Sequence, residues 1–231
     1  MGVLARGAEG LEGLAAELGG DAVALAADVT DRESVAGAVD RFAEEAGGLD
    51  LMIANAGLAH YGPFVDQPIE HAEEMVRLNV LGTIYTVHAA LERMLAQASG
   101  HIVVVSSGAG LRAFPWGAVY GATKAADKGF AEALRHELSG TGVSVSTVLP
   151  GEVETSLHDH QPDKVPDWRR SDEAISAVEV ADAVVRAVEE DRREVHIPAA
   201  VRLLALNDLA PRLVDRLLAR ARGATAAPRR D

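Results

Sequence analysis

Two side chains four residues apart, Tyr120 and Lys124, carry the chemistry that stands out in this sequence. In a helix, residues at this spacing share a face, so the ammonium of Lys124 would lie beside the Tyr120 phenol and favour its ionised form. Such a phenol can exchange a proton with an alcohol or a carbonyl oxygen near neutral pH. Ser107 ends an apolar, strand-like run at the carboxyl end of a strand, where open α/β sheets bind ligands. The three residues together predict an acid–base site.

The spacing of Tyr120 and Lys124 is weak evidence by itself, because such pairs arise often on exposed helices. Three further motifs elsewhere in the chain favour a functional interpretation. In chain order they are Asn55-Ala56-Gly57, Asn79 within Arg77-Leu78-Asn79-Val80, and Pro150-Gly151-Glu152-Val153-Glu154-Thr155. This ordered set closely resembles the short-chain dehydrogenase/reductase family over roughly residues 1 to 198. The resemblance implies hydride transfer between a nicotinamide cofactor and an alcohol or carbonyl.

The resemblance implies catalytic roles for four residues. Tyr120 would be the acid–base group, Lys124 would favour its ionisation and hold the ribose hydroxyls, and Ser107 would hydrogen-bond the substrate oxygen. Asn79 would interrupt its helix and hold a water that links Lys124 to solvent. For Asn79 alone, a surface position on a helix is an equally good interpretation. Its place directly before Val80-Leu81-Gly82-Thr83 favours the functional one.

The resemblance also implies a dinucleotide site, to which Tyr120 and Lys124 contribute. Its other residues follow the strands: Arg6, Asp28, Val29, Asn55, Ala56, Gly57, Pro150, Gly151, Val153 and Thr155. The segment 55–57 would lie against the adenosine half, and the segment 150–155 would meet the nicotinamide. Arg6 stands where an arginine can pair with the ribose phosphate, so NADP is favoured over NAD. Asp28 would bind the adenine amino group or, alternatively, cap the helix that follows.

Composition restricts the class of protein. A chain of 231 residues with 48% apolar and 25% charged residues fits one globular domain. The net charge of −13 argues against general nucleic-acid binding, which needs surplus Lys and Arg. The absence of cysteine excludes disulfides and thiolate metal sites, and no apolar run approaches the ~18 residues of a membrane span. We therefore expect a cytoplasmic protein with a small-molecule substrate.

Strand-like and helix-like segments alternate, which predicts an α/β fold with a doubly wound parallel sheet, Rossmann-like, in a single domain. We expect this domain over residues 1–198 and a helical extension and tail over 199–231, with a helix over 201–222 interrupted near Pro211. A capping box at Thr30-Asp31-Arg32-Glu33 is expected to open a helix that runs to about Ala46. Residues 152–172 lack periodicity and predict a mobile loop, which in the family covers the substrate.

The family pattern has one departure. Family members begin with a strand and the turn Thr-Gly-x-x-x-Gly-x-Gly, whose amides hold the cofactor diphosphate, whereas Met1 falls where the second strand begins. Gly7, Gly10 and Gly13 do not replace this turn because they lie inside a helix pattern. The sequence thus predicts an N-terminally truncated fold with an open or rearranged sheet, weak NADPH binding and impaired activity. A mis-set start or a shortened chain is favoured at about three to one over an evolved cofactor-free protein.

Two weaker interpretations stay open. His158-Asp159-His160 could suggest a metal, but the spacing places no third ligand, and a polar loop without metal is favoured. A catalytically silent binding or scaffold protein of the same fold is the alternative to an enzyme. In the family, long helices such as those around 70–97 and 118–139 pair across a two-fold axis, so a homodimer or homotetramer is expected.

Overall fold

The computed structural model describes residues 1–161, 163 and 174–221, along which strands and helices alternate. The strands are β1 (Gly2–Ala5), β2 (Val23–Ala26), β3 (Leu51–Ala54), β4 (Gly100–Val105), β5 (Val143–Pro150) and β6 (Glu194–Ile197). The α-helices are α1 (Ala8–Leu18), α2 (Arg32–Ala46), α3 (Ile69–Met75), α4 (Gly82–Gln97), α5 (Ala118–Glu137), α6 (Ala177–Glu189) and α7 (Pro211–Ala221).

All paired strands run parallel, and helices cover both faces of the larger sheet. The strand order is β3-β4-β5-β6, with Val103 opposite Ser146 and Val148 opposite Val195. Alternate residues of β4 point to opposite faces: Ile102 and Val104 pack with α2, α4 and α5, whereas Val103 packs with α6. This confirms the predicted doubly wound α/β architecture.

The sheet is divided between β1 and β3. The strands β1 and β2 pair with each other in a separate two-stranded sheet, with Leu4 opposite Leu25. Within the described residues, β3 pairs only with β4, and its Leu51 and Ile53 are 40% and 42% exposed. This division makes β3 an edge strand with apolar side chains at the surface.

The N-terminus of α2 differs from the prediction. The expected capping box with Thr30 as the cap is wrong, because Asp31 is the N-cap and accepts hydrogen bonds from the amides of Glu33 and Ser34 at 2.9 and 3.2 Å. Thr30 instead donates to Asp28. A carboxylate binds free amides at a helix N-terminus more strongly than a hydroxyl, which explains the choice of cap. The helix ends at the predicted Ala46, followed by Gly47 in the left-handed region.

The helical material from Pro68 to Gln97 is interrupted. One wide turn of π-helix, Val76–Leu81, separates α3 from α4, and Asn79 lies in its middle. At the end of this turn, the Thr83 hydroxyl donates to the carbonyl of Asn79 at 2.7 Å. The turn carries the Asn79 side chain into the interior, where it is fully buried.

The C-terminal part folds back on the domain. Residues Ala199–Asp208 form 3-10 turns rather than the predicted α-helix, and Pro211 begins α7 rather than interrupting it, since proline is well tolerated in the first helical turn. Arg112 joins this part to the domain through Asn207 at 3.2 Å and Asp215 at 2.5 Å. The predicted C-terminal tail and, within the predicted loop over 152–172, residue 162 and residues 164–172 lie outside the described residues.

Candidate active site

The carboxyl ends of β3, β4 and β5 meet at one edge of the larger sheet. Asn55 follows β3, Ser107 follows β4, and Pro150 ends β5. Because parallel strands end on the same side, these residues are brought to one edge although about a hundred residues separate the first from the last. Helix α5 lies beside this edge and carries Tyr120 and Lys124 on its first two turns.

Tyr120 lies in a small apolar cluster at this edge. Its side chain is 5% exposed and packs with Ala59, Tyr61, Met75 and Ala109. The rings of Tyr61 and Tyr120 are 6.1 Å apart and tilted by 58°. An apolar surrounding excludes water from the phenol, which strengthens any electrostatic or hydrogen-bonded contact that it makes with a bound molecule.

Ser107 is held by the turn that follows β4. Its backbone is extended, and its hydroxyl accepts a hydrogen bond from the amide of Ala109 at 3.1 Å. The preceding Ser106 donates to the carbonyl of Lys124 at 2.7 Å, which ties the end of β4 to α5. A Cβ at Gly110 would come within 2.7 Å of the same carbonyl, so only glycine permits this close approach.

Lys124 is almost fully buried, and its ammonium has two protein acceptors among the described residues. The Nζ donates to the carbonyl of Val105 and to Oδ2 of Asp127, each at 3.0 Å. The same Nζ faces Gly57, where a Cβ would lie 3.6 Å from it and 3.7 Å from Oδ1 of Asn79. A methyl group at this position would therefore be in van der Waals contact with the lysine and with Asn79.

A chain of hydrogen bonds connects Asn79 to the helix that carries Tyr120. Asn79 Nδ2 donates to Oγ1 of Thr123 at 2.9 Å, and the Thr123 hydroxyl donates to the carbonyl of Tyr120 at 2.8 Å. The three residues are buried. The structure therefore brings Asn79, Ser107, Tyr120 and Lys124 to one region, as the sequence-based hypothesis requires.

The residues expected at the nicotinamide end follow β5. Gly151 donates to the carbonyl of Ile197, and a Cβ there would lie 3.4 Å from Pro198. Val153 forms a bridge with Ile175, and the Thr155 hydroxyl accepts from the amide of Leu157 at 3.5 Å. At the end of β3, Asn55 and Ala56 are exposed and available for contact.

The residues expected at the adenosine end lie in the two-stranded sheet. Arg6 follows β1 and is exposed, and Asp28 follows β2. Hydrogen bonds from Thr30 to Asp28 Oδ1, together with the charge of Arg6, hold the pKa of Asp28 below its usual value. Val29 packs beside Gly82 at the start of α4, where a Cβ would approach it to 3.0 Å. These residues therefore form a second group, on strands that do not pair with the larger sheet.

Two further residues at the site escaped the sequence reasoning. His60 is buried beside the Tyr120 cluster, stacks on His71 at 3.9 Å, and joins Glu74 at 2.9 Å and Gln161 at 2.7 Å. The second of these residues is Asp127. A histidine in an irregular loop has no periodic pattern that predicts its position, but Asp127 lies one helical turn after Lys124 and was predictable from that spacing. The described residues contain no group of three or more metal-ligating side chains suited to a metal ion.

The comparisons with known proteins agree with the fold and the motifs. The short chain dehydrogenase family matches residues 1–165, and the chain belongs to this family of oxidoreductases. An uncharacterised oxidoreductase of Staphylococcus aureus strain MW2 is 36% identical over 153 residues, which are 66% of this chain and 66% of that protein. The match thus spans slightly less than two thirds of that relative.

Two solved structures share the fold at moderate identity. An alcohol dehydrogenase from Thermococcus sibiricus, complexed with 5-hydroxy-NADP, is 28% identical with a TM-score of 0.73 over 84% of this chain and 83% of that one. A 3-ketoacyl-ACP reductase from Sinorhizobium meliloti is 30% identical with a TM-score of 0.73 over 84% and 86%. Among the helices of the described residues, none has the length and apolar character needed to cross a membrane.

Proposed function

We propose that the protein is an NADP-dependent oxidoreductase that interconverts a carbonyl compound and a secondary alcohol. The observation that carries the proposal is the buried hydrogen-bonded set around α5: Asn79 to Thr123, Thr123 to the Tyr120 backbone, and Ser106 to the Lys124 backbone. This set holds a phenol and an ammonium one helical turn apart at a sheet edge suited to ligands. Membership of an oxidoreductase family supports the same reaction class.

The proposed chemistry pairs a hydride with a proton. The nicotinamide, when bound, supplies the hydride to carbonyl carbon or accepts it from the alcohol. Tyr120 donates its phenolic proton to the oxygen during reduction and takes it back during oxidation. Ser107 orients the oxygen by a hydrogen bond, and the positive charge of Lys124 stabilises the tyrosinate left after proton transfer. Asn79 holds the segment against which Lys124 packs and, in this proposal, a water that carries protons from solvent.

Residues present in the chain fit the ribose end of a dinucleotide. Lys124 and the open backbone at Gly57 would meet the ribose, with Asn55 and Ala56 beside them. Pro150, Gly151, Val153 and Thr155 would meet the nicotinamide. The exposed Arg6, with Asp28 and Val29, would meet the adenosine, and the guanidinium favours a phosphorylated ribose. The 5-hydroxy-NADP bound to the Thermococcus sibiricus relative supports this choice of cofactor.

The direct test measures NADPH consumption with a panel of carbonyl compounds, such as ethyl acetoacetate, diacetyl and benzaldehyde, and NADP reduction with the matching alcohols. Parallel assays with NADH and with Arg6→Ala test the cofactor preference. We expect turnover with NADPH above that with NADH, and a smaller preference in the variant. NADPH binding without turnover on any probe would favour the silent binding protein, and neither binding nor turnover would reject the proposal.

Three further properties belong to the proposal. We propose a cytoplasmic location, which the absence of cysteine supports. A homodimer or homotetramer is proposed on the exposed apolar side chains of the segment before α4, such as Ile69 and Val76. Residues 1–198 are proposed as the oxidoreductase domain and 199–231 as its extension. Sedimentation at micromolar concentration tests the assembly.

A further inference from the structure

Asp127 is a buried carboxylate next to Lys124 that the proposed chemistry does not use. It lies one turn further along α5, with Oδ2 3.0 Å from the Lys124 Nζ, and the two side chains are only 1% and 6% exposed. We propose that Asp127 is a positioning residue for Lys124: its carboxylate binds the ammonium and directs it towards the backbone of Val105 and Gly57. The inference deepens the proposed function and its catalytic interpretation rests on that function.

One of the three N–H groups of the Lys124 ammonium has no acceptor among the described residues. An ammonium has three protons, and the described residues provide acceptors for two of them, the Asp127 carboxylate and the Val105 carbonyl. Gly57 faces the same Nζ across a space in which a Cβ would lie 3.6 Å away. Because two of the protons are hydrogen-bonded, rotation of the ammonium is restricted and the third N–H has a fixed direction. This lowers the entropy cost of a hydrogen bond from it to a bound molecule.

Burial makes the carboxylate necessary for the charge. A lysine removed from water loses its proton more easily unless an opposite charge compensates. Among the described residues, Lys124 is the charged group that acts on Asp127, and its charge opposes the effect of burial on the carboxyl. The Thr83 hydroxyl on α4 has a single proton and donates it to the carbonyl of Asn79, whereas the Lys124 ammonium donates to the Asp127 carboxylate. Asp127 and Lys124 are therefore each other's charged partner.

The pair also has a pH response. Burial raises the pKa of the Asp127 carboxyl above its usual value, while Lys124 opposes this rise. On acidification, Asp127 is thus neutralised at a higher pH than an exposed aspartate, and Lys124 loses its charged partner at that point. The environment of the Lys124 ammonium should change at the same pH, above that at which an exposed aspartate takes up its proton.

Lysine NMR can test the inference without cofactor or substrate. The chain has three lysines, Lys124, Lys128 and Lys164, so a sample labelled with carbon-13 and nitrogen-15 lysine gives few signals, assigned with Lys124→Arg. In Asp127→Asn, which keeps the shape but removes the charge, we expect the deprotonation of Lys124 to move to lower pH by about one unit or more. Lys128, which pairs with Glu132 and Glu194, is the internal control and should not move.

Two results would overturn the inference. One is an unchanged Lys124 titration in folded Asp127→Asn, and the other, measurable in the wild-type protein if the variant does not fold, is a Lys124 signal with no inflection on acidification. Turnover assays separate this inference from the proposed function. Absence of NADPH turnover in the wild-type protein would reject the function, while the lysine titration alone decides the role of Asp127.

Discussion

Asn79 and Leu58 exchange two hydrogen bonds: the Leu58 amide donates to Asn79 Oδ1 at 2.8 Å, and Asn79 Nδ2 donates to the Leu58 carbonyl at 2.9 Å. The side chain of Asn79 thereby makes the same pair of hydrogen bonds to the segment after β3 that the backbone of a neighbouring strand would make. The π-turn is what carries this side chain inward, and the same Nδ2 also reaches Thr123. One amide therefore joins the end of β3, the π-turn and α5.

The first prediction concerns the stability supplied by this amide. Asn79→Ala leaves the amide and carbonyl of Leu58 without their partner, and burial prevents water from replacing it. The free energy of unfolding should fall by about 3 kcal/mol, measured by urea denaturation. Asn55→Ala, at an exposed position on the same edge, is the control and should change it by less than about 0.5 kcal/mol. Equal effects of the two substitutions would contradict the structural role of Asn79.

The second prediction concerns proton transfer and rests on the proposed function. Tyr120→Phe removes only the phenolic oxygen, so kcat/KM for carbonyl reduction should fall by a factor of about a hundred or more. NADPH binding, measured by calorimetry, should change little. Tyr85→Phe on α4 makes the same chemical change at a partly buried position outside the site and should leave kcat/KM near the wild-type value. Similar kcat/KM values for the two variants would remove Tyr120 from the mechanism.

A third prediction concerns His101 and acid stability. His101 on β4 is buried with Nε2 2.8 Å from Ser146 Oγ, and burial lowers its pKa, with Arg135 adding to the effect and Asp191 opposing it. Because the folded pKa lies below the unfolded value of ~6.5, the unfolded chain binds the proton more readily, and stability falls as the pH drops through ~6.5.

Replacing His101 should reduce this acid sensitivity. Between about pH 7.5 and about pH 5.5, His101→Gln should lose up to about 1 kcal/mol less stability than the wild-type protein, as followed by urea midpoints. Burial also lowers the pKa of His196, so part of the sensitivity remains. The exposed His88 supplies the control, since His88→Gln should retain the wild-type slope. A wild-type slope in His101→Gln would show that burial of this imidazole is not the cause.

The fourth prediction compares two glycines in the turn before β5. Gly140 and Gly142 have similar positive φ angles of 82° and 86°. A Cβ at Gly142 would overlap the carbonyl oxygen of Ala98 at 1.9 Å, whereas a Cβ at Gly140 meets nothing within 4 Å. Gly140→Ala should therefore cost only the backbone strain of about 1 kcal/mol, and Gly142→Ala should cost at least about 2 kcal/mol more. Thermal unfolding of both variants measures the difference, and equal costs would contradict the close approach.

The strands and most helix ends were predictable because local signals determine them. Alternation of apolar runs predicts β3, β4 and β5, and Gly47 marks the end of α2. The cap of α2 was predicted one residue early because Thr30 and Asp31 are both good caps. The carboxylate of Asp31 binds the free amides more strongly, and Thr30 is in addition engaged by Asp28. Ranking neighbouring caps requires the three-dimensional contacts.

The candidate site was predictable where spacing reflects position. Tyr120, Lys124 and Ser107 follow from helix periodicity and from a strand end, and the structure brings them to one region. The resemblance predicts an interruption of the helix at Asn79, and the π-turn lies there. The bonds of the Asn79 side chain to Leu58 and Thr123 could not be predicted, because these partners are distant in sequence. The pairing of Asp127 with Lys124 was open to prediction from their spacing, but its burial was not, because burial of a charged residue on a helix depends on what packs against that face.

The division of the sheet has a consequence for how the molecule opens. Within the described residues, the backbone hydrogen bonds of β1 and β2 to other strands are made only between the two strands. Such a pair can separate from its surroundings without breaking the ladder of β3 to β6, so it forms a smaller cooperative unit. In deuterium exchange under native conditions, amides of β1 and β2 should exchange much faster than those of β4 and β5, and a molecule that pairs with the apolar edge of β3 should slow the exchange there first.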